Sequence, residues 1–507
     1  MARALPDRFN LATHLLDARL DDGASDRIAI RTADRTLTYR EVAALSARMA
    51  HTLRAADIRP EERVIIALPD IPAYVGALFG IVRYGAVAVM VNPDLASDAI
   101  RYFFEYTRAR AAFVDSAHHD TFAKAVQALE SPPRFLVVDE MFEHRLGPLP
   151  DTYTAFASHP DDSAIWLFSG GTTGRPKAVV QTHRSYANTT ELYGKGVLQL
   201  TSADITLAVP KLFFGYAMGS NVFFPFAVGA SCVLFPQRCT AEEVFAQIRR
   251  HRPTVLVNVP TLVQQMVAHP NAAREDLSCL RLATSAGEAL PAELYDRWTS
   301  TFGVELLDGL GTAEMWHIFI SNRPGQVVPG TLGHVVPGFD VKLCDGDGAE
   351  VTGGDVGALW VKGESRAIGY WQRMDDTMRA FRGEWYVSGD MLRRNADGSF
   401  VYCGRSDDML KVSGKWLAPG ELENCLLQHP AVREVAVVGV RDEAGLVKPY
   451  AFVVADRAST ALGAELQSFA KRHLEPYKYP REVVFLDALP RTHLGKVDRH
   501  LLSHTAR

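Results

Sequence analysis

Cysteine is scarce and scattered: the six in 507 residues (Cys232, Cys239, Cys279, Cys344, Cys403 and Cys425) form no C-x-x-C pair and sit beside no histidine cluster. That spacing argues against a zinc site and a disulfide framework, and it suits a reducing cytoplasm. A basic excess is also missing, since Lys+Arg 54 against Asp+Glu 59 leaves a net charge of −5. Domains whose main partner is DNA or RNA usually carry such an excess, so no nucleic acid is expected as partner; a small phosphorylated ligand is not excluded. The N-terminus has no apolar run for a signal peptide, because Arg3, Asp7, Arg8 and Asp17 interrupt it. One uncharged stretch, Leu212 to Pro236, reaches membrane-spanning length, but Gly215, Gly219, Pro225 and Gly229 punctuate it. It reads as a buried helix, a break at Pro225 and a strand from Ala230 to Phe235, so no membrane partner is expected. The G-x-S-x-G motif of serine hydrolases does not occur.

What is present is ordinary globular composition, 47% hydrophobic and 22% charged, over a length that suggests several domains. Apolar runs alternate with helical patterns. Arg63 to Leu68, Ala86 to Val91, Phe135 to Asp139, Thr254 to Val259 and Leu280 to Thr284 read as buried strands; Ala73 to Arg83 and Leu262 to Ala268 read as helices. Strands apolar on both faces between helices predict parallel sheets covered by helices, an α/β fold. From about residue 330 to 403 the texture changes to short strands with turns such as Asp345-Gly-Asp-Gly348, which predicts an antiparallel β subdomain. Without EF-hand spacing, that run is turn chemistry rather than a calcium loop. Beyond Asp407 a small C-terminal α/β domain is expected, giving domains 1–406 and 407–507.

The strongest local signal is Ser169-Gly170-Gly171-Thr172-Thr173-Gly174-Arg-Pro-Lys177, directly after the apolar strand Ala164 to Phe168. Glycines and hydroxyls packed into one turn leave N–H and O–H groups free to converge on phosphate, and Lys177 adds positive charge. Pro176 stands where a Walker motif needs its second glycine, so this is another kind of phosphate loop.

SGGTTGRPK resembles the phosphate loop of the adenylate-forming superfamily, which includes acyl- and aryl-CoA ligases. Further segments resemble that family in order. Ser285-Ala-Gly287-Glu288-Ala-Leu290 is similar to its adenine-flanking turn. Leu307-Asp308-Gly-Leu-Gly311-Thr312-Ala313-Glu314 is similar to its magnesium and adenine segment. Trp385 to Asp390 and Gly404-Arg405 to Met409 resemble its ribose and hinge segments, and Pro490 to Lys496 its catalytic-lysine loop. The resemblance implies ATP, CoA and magnesium as reactants and cofactor. It implies that Lys496 bridges the substrate carboxylate and the α-phosphate, that Glu314 holds magnesium, and that Asp390 and Arg405 hold the ribose. It further implies a mobile small domain hinged at Asp407, with Gly414, Lys415 and Trp416 along the CoA path. One position departs from the family, which usually has Thr before the magnesium Glu; here it is Ala313, preceded by Thr312.

Lys211-Leu-Phe213-Phe214-Gly215-Tyr216-Ala-Met-Gly219 and Glu314 to Asn322 are close to the corresponding runs of benzoate-CoA ligases. By that resemblance Gly215, Tyr216, Gly311, His317 and Ile318 line an aryl slot gated by Phe213 or Phe214. Gly215 and Gly311 are expected to leave that slot free of side chains. The run Phe213 to Gly219 has no carboxylate for an ammonium, which disfavours amino acids. The expected substrate is a small aromatic carboxylic acid, benzoate or a substituted benzoate. A carrier-protein acceptor in place of CoA, a non-catalytic nucleotide-binding relative, and the oligomeric state, homodimer included, stay open.

Overall fold

The computed structural model describes residues 5–170, 175–352, 354–406, 409–412, 415–442, 446–491 and 497–505. The chain divides into two compact units, one of residues 1–290, 294–340 and 361–386, the other of 291–293, 341–360 and 387–507.

The first unit holds two large sheets. One has seven strands in the order Gly369–Tyr370, Lys177–Thr182, Ser163–Ser169, Val87–Met90, Arg63–Ala67, Ala111–Asp115 and Arg134–Val138. The neighbours from Ser163–Ser169 to Arg134–Val138 run parallel, as the doubly apolar strands predict. The other sheet has nine strands, with a parallel centre of Leu306–Gly311, Leu282–Ser285, Val255–Asn258, Ile205–Ala208 and Ser231–Val233. Each expected strand in this region exists within a residue or two of its place. The expected helix at Ala73 to Arg83 is Pro72–Tyr84. Proline opens it, where a missing N–H costs nothing, and Gly85 at φ +87° closes it. Apolar side chains from the helices fill the space against each sheet, with Trp298, Phe245 and Val263 buried in one cluster and Phe104, Phe122 and Trp166 in another.

The expected buried stretch is buried from Ala217 to Phe235 except at the half-buried Val228, while Phe214 and Pro236 at its ends are exposed, and no helix of the described residues is long and apolar enough to cross a membrane. Phe223, Phe224 and Phe226 are core residues. The break at Pro225 is not there. Helix runs on from Gly215–Met218 through a π-helical turn, Gly219–Phe223, into Phe224–Val228. Proline sits at the second position after that turn, where the widened register has already left N–H groups without their usual acceptors, and the helix ends instead at Gly229.

In the second unit Asp390 and Arg405 stand opposite each other where Trp385–Arg394 pairs antiparallel with Phe400–Arg405. Asp345 accepts the amides of Asp347 and Ala349 with one oxygen, which is the expected turn chemistry. The C-terminal residues form a three-stranded sheet of Val432–Arg441, Val447–Ala455 and Glu482–Phe485. The helices Pro419–Leu427 and Thr460–His473 pack on it through Leu422, Leu426, Leu466 and Ala470. The helix Met374–Ala380, in the first unit, was not legible inside the strand-rich texture; none of its residues is buried, so no apolar stripe marks it.

Candidate active site

Ser169 and Lys177 face each other across the mouth of a hairpin whose loop carries the glycine-rich run. A Cβ on Gly170 would meet nothing within 4 Å, so the backbone there lies open. Gly171, Thr172 and Thr173 lie outside the described residues. The far side of the loop is tied down by Tyr102 of the helix Ser97–Thr107, whose hydroxyl donates to the Pro176 carbonyl at 2.7 Å. The Arg175 guanidinium lies 5.1 Å from the centre of the same ring.

Glu314 sits in the short 3₁₀ turn Ala313–Met315 and is 3% exposed. Tyr370 donates its hydroxyl to Glu314 Oε1 at 2.7 Å, and the Lys177 ammonium stands 4.3 Å from the centre of the Tyr370 ring. A single side chain therefore links Lys177, at the end of the glycine-rich loop, to Glu314, the carboxylate expected to hold magnesium. The sequence reading missed Tyr370. It lies 56 positions from Glu314 and reaches the site because Gly369–Tyr370 pairs with the return strand of the hairpin. No cluster of three or more His, Cys, Asp or Glu able to cage a metal occurs among the described residues. One hard oxygen beside a phosphate loop fits magnesium carried on phosphates, which keeps most of its shell as water and phosphate oxygen.

Thr312 and Ala313 have settled places. Thr312 caps the turn, its Oγ1 accepting the Met315 amide at 3.3 Å. The Ala313 methyl packs against Val179, Ala367 and Tyr370, and its carbonyl accepts from Gln181 at 2.7 Å.

The carboxyl ends of the parallel strands Leu282–Ser285 and Leu306–Gly311 bring Ser285 and Asp308 into register. Burial raises the Asp308 carboxyl well above the usual range. The neighbouring Ser285 hydroxyl opposes that rise, yet neither Asp308 Oδ1 nor Ser285 Oγ, both buried, has a partner at full hydrogen-bond geometry among the described residues. Buried polar atoms so weakly satisfied mark where a ligand's own donors and acceptors belong. Gly287, at φ +89°, again has open space where a Cβ would sit, and Glu288 is held by the Thr261 hydroxyl at 2.7 Å.

Phe213 and Phe214 lie ring against ring at 4.4 Å, with Phe214 38% exposed. Tyr216 shares a hydrogen bond with Thr284 Oγ1 at 2.6 Å. His317 is a packed residue among Tyr193, Tyr216 and Phe224. Its Nε2 lies 3.1 Å from both the Tyr216 carbonyl and Ser220 Oγ; because a carbonyl only accepts, Nε2 carries the proton. Nδ1 is left as a buried acceptor without a partner among the described residues, and burial pulls the imidazole down to about 3. Ile318 starts the strand Ile318–Ser321 opposite Gly311.

Neither glycine has room for a side chain where its own Cβ would sit. A Cβ on Gly215 would lie 2.8 Å from Leu167 Cδ1, and one on Gly311 would lie 2.5 Å from the His317 carbonyl oxygen. The missing side chain lets Gly215 pack against the Leu167 side chain, and Gly311 against the backbone of His317 and Ile318.

In the second unit, Asp390 is 6% exposed. It accepts from Ser388 Oγ, from Arg405 Nη1 at 3.3 Å and from Tyr402 at 3.4 Å. The two residues assigned to the ribose thus form one ion pair. Lys415 and Trp416 lie in the strand Lys415–Leu417, while Asp407, Gly414 and Lys496 fall outside the described residues.

Residues 18–371 match the AMP-binding enzyme family, and residues 421–496 match the AMP-binding enzyme C-terminal domain. The benzoate–CoA ligase of Thauera aromatica is 39% identical, covering 98% of this chain and 96% of that protein. Among solved structures, a benzoate CoA ligase from Burkholderia xenovorans LB400 has a TM-score of 0.90 at 40% identity, covering 98% of this chain and 100% of that one. The anthranilate CoA ligase AuaEII, solved with anthranoyl-AMP, has a TM-score of 0.95 at 37% identity, covering 99% of this chain and 98% of that one. With family matches across most of its length and relatives alike from end to end, the chain belongs to the AMP-binding enzyme family.

Proposed function

We propose that this enzyme is an aryl-CoA ligase acting on benzoate or a small ring-substituted benzoate. A carboxylate oxygen attacks the α-phosphorus of ATP, the bond to the β-phosphate oxygen breaks, and pyrophosphate leaves. The deprotonated sulfur of CoA then attacks the acyl carbon of the aryl adenylate and AMP leaves. The first step brings anion to anion, so it needs cations and oriented donors around the phosphates. The observation that carries this reading is the Lys177–Tyr370–Glu314 line, which sets a cation and a hard carboxylate on one ring beside the glycine loop. Magnesium held by Glu314 would supply further positive charge on the phosphates.

The roles of Lys496 in the first step, of Asp407 as hinge between domains 1–406 and 407–507, and of Gly414, Lys415 and Trp416 on the CoA path belong to this proposal. So do the aryl contacts of Phe213, Phe214, Gly215, Tyr216, Gly311, His317 and Ile318. The names of the relatives, benzoate and anthranilate CoA ligases, support an aromatic acid. Six free cysteines support a cytoplasmic site of action.

The test is a panel of carboxylic acids assayed for AMP release with CoA present. Benzoate should exceed hexanoate in kcat/KM, and a preference for hexanoate overturns the aryl assignment. Turnover with free CoA separates a CoA ligase from an enzyme that loads a carrier protein. Absence of ATP–pyrophosphate exchange with every acid would leave a nucleotide-binding protein without catalysis.

A further inference from the structure

Asp70 and Lys211 come from the carboxyl ends of strands in different sheets of the first unit. Asp70 follows Arg63–Ala67 of the seven-stranded sheet, and Lys211 follows Ile205–Ala208 of the nine-stranded one. The Asp70 carboxyl is 4% exposed. Its Oδ1 accepts the amide of Leu212 at 3.0 Å, and its Oδ2 lies 3.9 Å from the Lys211 ammonium. That ammonium donates to the Phe235 carbonyl at 2.8 Å and stands 4.1 Å from the centre of the Phe235 ring. The next residues turn tightly, the Phe214 amide donating to the Lys211 carbonyl at 2.9 Å, and the helix beginning at Gly215 follows at once. Phe213, Phe214 and Tyr216 therefore hang from a turn whose first two residues are fixed by one buried carboxylate.

We propose that Asp70 is a positioning residue for the acid substrate: with Lys211 it holds the turn that presents Phe213, Phe214 and Tyr216 to the acid. The identity of the acid rests on the aryl-CoA ligase reading above; the positioning role does not depend on which acid it is. Leu212 alone would not need a charged acceptor, since a backbone carbonyl would serve. A buried carboxylate is costly unless paired, and here the pair it makes is with the turn itself.

The clamp is also open to protonation. Burial pushes Asp70 up to about 6, against the opposing pull of Lys211 and the Leu212 amide. The other groups that face it are the Tyr74 hydroxyl from the helix Pro72–Tyr84 that follows it, Cys232 from the strand Ser231–Val233 and Cys239 beyond that strand. Burial raises all three, Cys239 to about 11 and the other two further, so none of them changes charge in the range where Asp70 does. Below its midpoint the carboxyl is neutral, the attraction to Lys211 is lost, and the turn is held by a weaker hydrogen bond.

The experiment is steady-state kinetics of the full chain from about pH 5.5 to 8, varying benzoate and ATP separately, for the wild type and for Asp70→Asn. In the wild type, KM for benzoate should rise several-fold as pH falls through the Asp70 midpoint, while KM for ATP stays within about twofold. Asp70→Asn should show KM for benzoate raised about 10-fold at the alkaline end, as expected for losing a charged hydrogen-bond partner, with no further rise at lower pH. A flat wild-type profile, a wild-type KM in Asp70→Asn, or equal losses for benzoate and ATP would each overturn the proposal. If Asp70→Asn does not fold, the wild-type profile decides alone. If the wild type uses a different acid, the aryl reading falls while the same profile measured with that acid still tests the clamp.

Discussion

Tyr370 gives Glu314 a neutral hydrogen-bond donor where an arginine or lysine would have cancelled its charge. A neutral partner fixes the carboxylate without competing with the magnesium proposed for it, and the cation it could have paired with, Lys177, is held on the face of the ring instead. Tyr370→Phe should therefore lower kcat/KM for ATP in pyrophosphate exchange by about 10- to 100-fold, the range for a hydrogen bond to a charged group. The loss should shrink as magnesium is raised; an unchanged rate would remove Tyr370 from the site. Ala313 is a different case. A threonine there would bring a hydroxyl into the contact with Val179, Ala367 and Tyr370, while Thr312 is committed to its cap. Ala313→Thr should leave pyrophosphate exchange unchanged or reduced, by about twofold to tenfold if the buried hydroxyl finds no partner. A large gain would show that the family's threonine hydroxyl is missing from this enzyme and that Ala313 is its lesion.

Between elements, the contacts of Gly215 decide what its substitution does. The strand against which its Cβ would press, at Leu167, ends two residues later in Ser169 at the phosphate loop. Gly215→Leu should raise KM for ATP as well as for benzoate, measured in the same assay. A loss confined to benzoate would instead place Gly215 on an open slot wall. The continuous helix through Pro225 has its own consequence, because it carries Ser220 and Tyr216 onto His317. In the folded state His317 titrates near 3, against 6.5 for a free histidine. Below 6.5 the unfolded chain takes up a proton that the folded chain refuses, so this stability is lost as pH falls from 6.5 towards 3. One such proton contributes a slope of at most about 1.4 kcal/mol per pH unit. His183, pulled down to about 4 by burial, acts in the same direction. Thermal unfolding between pH 6.5 and 4 should show a shallower decline for His317→Gln than for the wild type, and equal slopes would mean that the imidazole is charged in the fold.

At the scale of the molecule, the two half-reactions need different surroundings for one acyl adenylate, and a chain that alternates between them needs a pivot. The proposed pivot is Asp407. Compactness alone places residues 387–406 with the C-terminal residues and not with the first unit, which offers a second candidate near residue 386. Asp407→Pro tests the choice, since proline fixes φ near −65° and resists a backbone rotation there. ATP–pyrophosphate exchange should persist while thioester output collapses. If both activities stay normal, the pivot lies elsewhere and the junction at residue 386 becomes the position to substitute.

The alternation of apolar strands and helices was readable in the sequence because a strand buried on both faces must be apolar throughout, wherever it sits in a sheet. Arg63–Ala67, Val255–Asn258 and the helix Pro72–Tyr84 needed no partner to be recognised. The glycine-rich loop stood out through its own residues, whereas Asp308 and Glu314 were expected only because the run that holds them resembles a family segment. What tertiary structure alone decided are the pairings across distance. Tyr370 reaches Glu314 through a two-residue edge strand, and Asp70 reaches Leu212 across 142 positions. Gly215 and Gly311 have no room for a Cβ because of atoms supplied by Leu167 and His317. A local pattern can specify which face of an element is apolar, but it cannot say which element will cover that face. Hydrogen-bond partners and close approaches are set only when the strands take their order in the sheet.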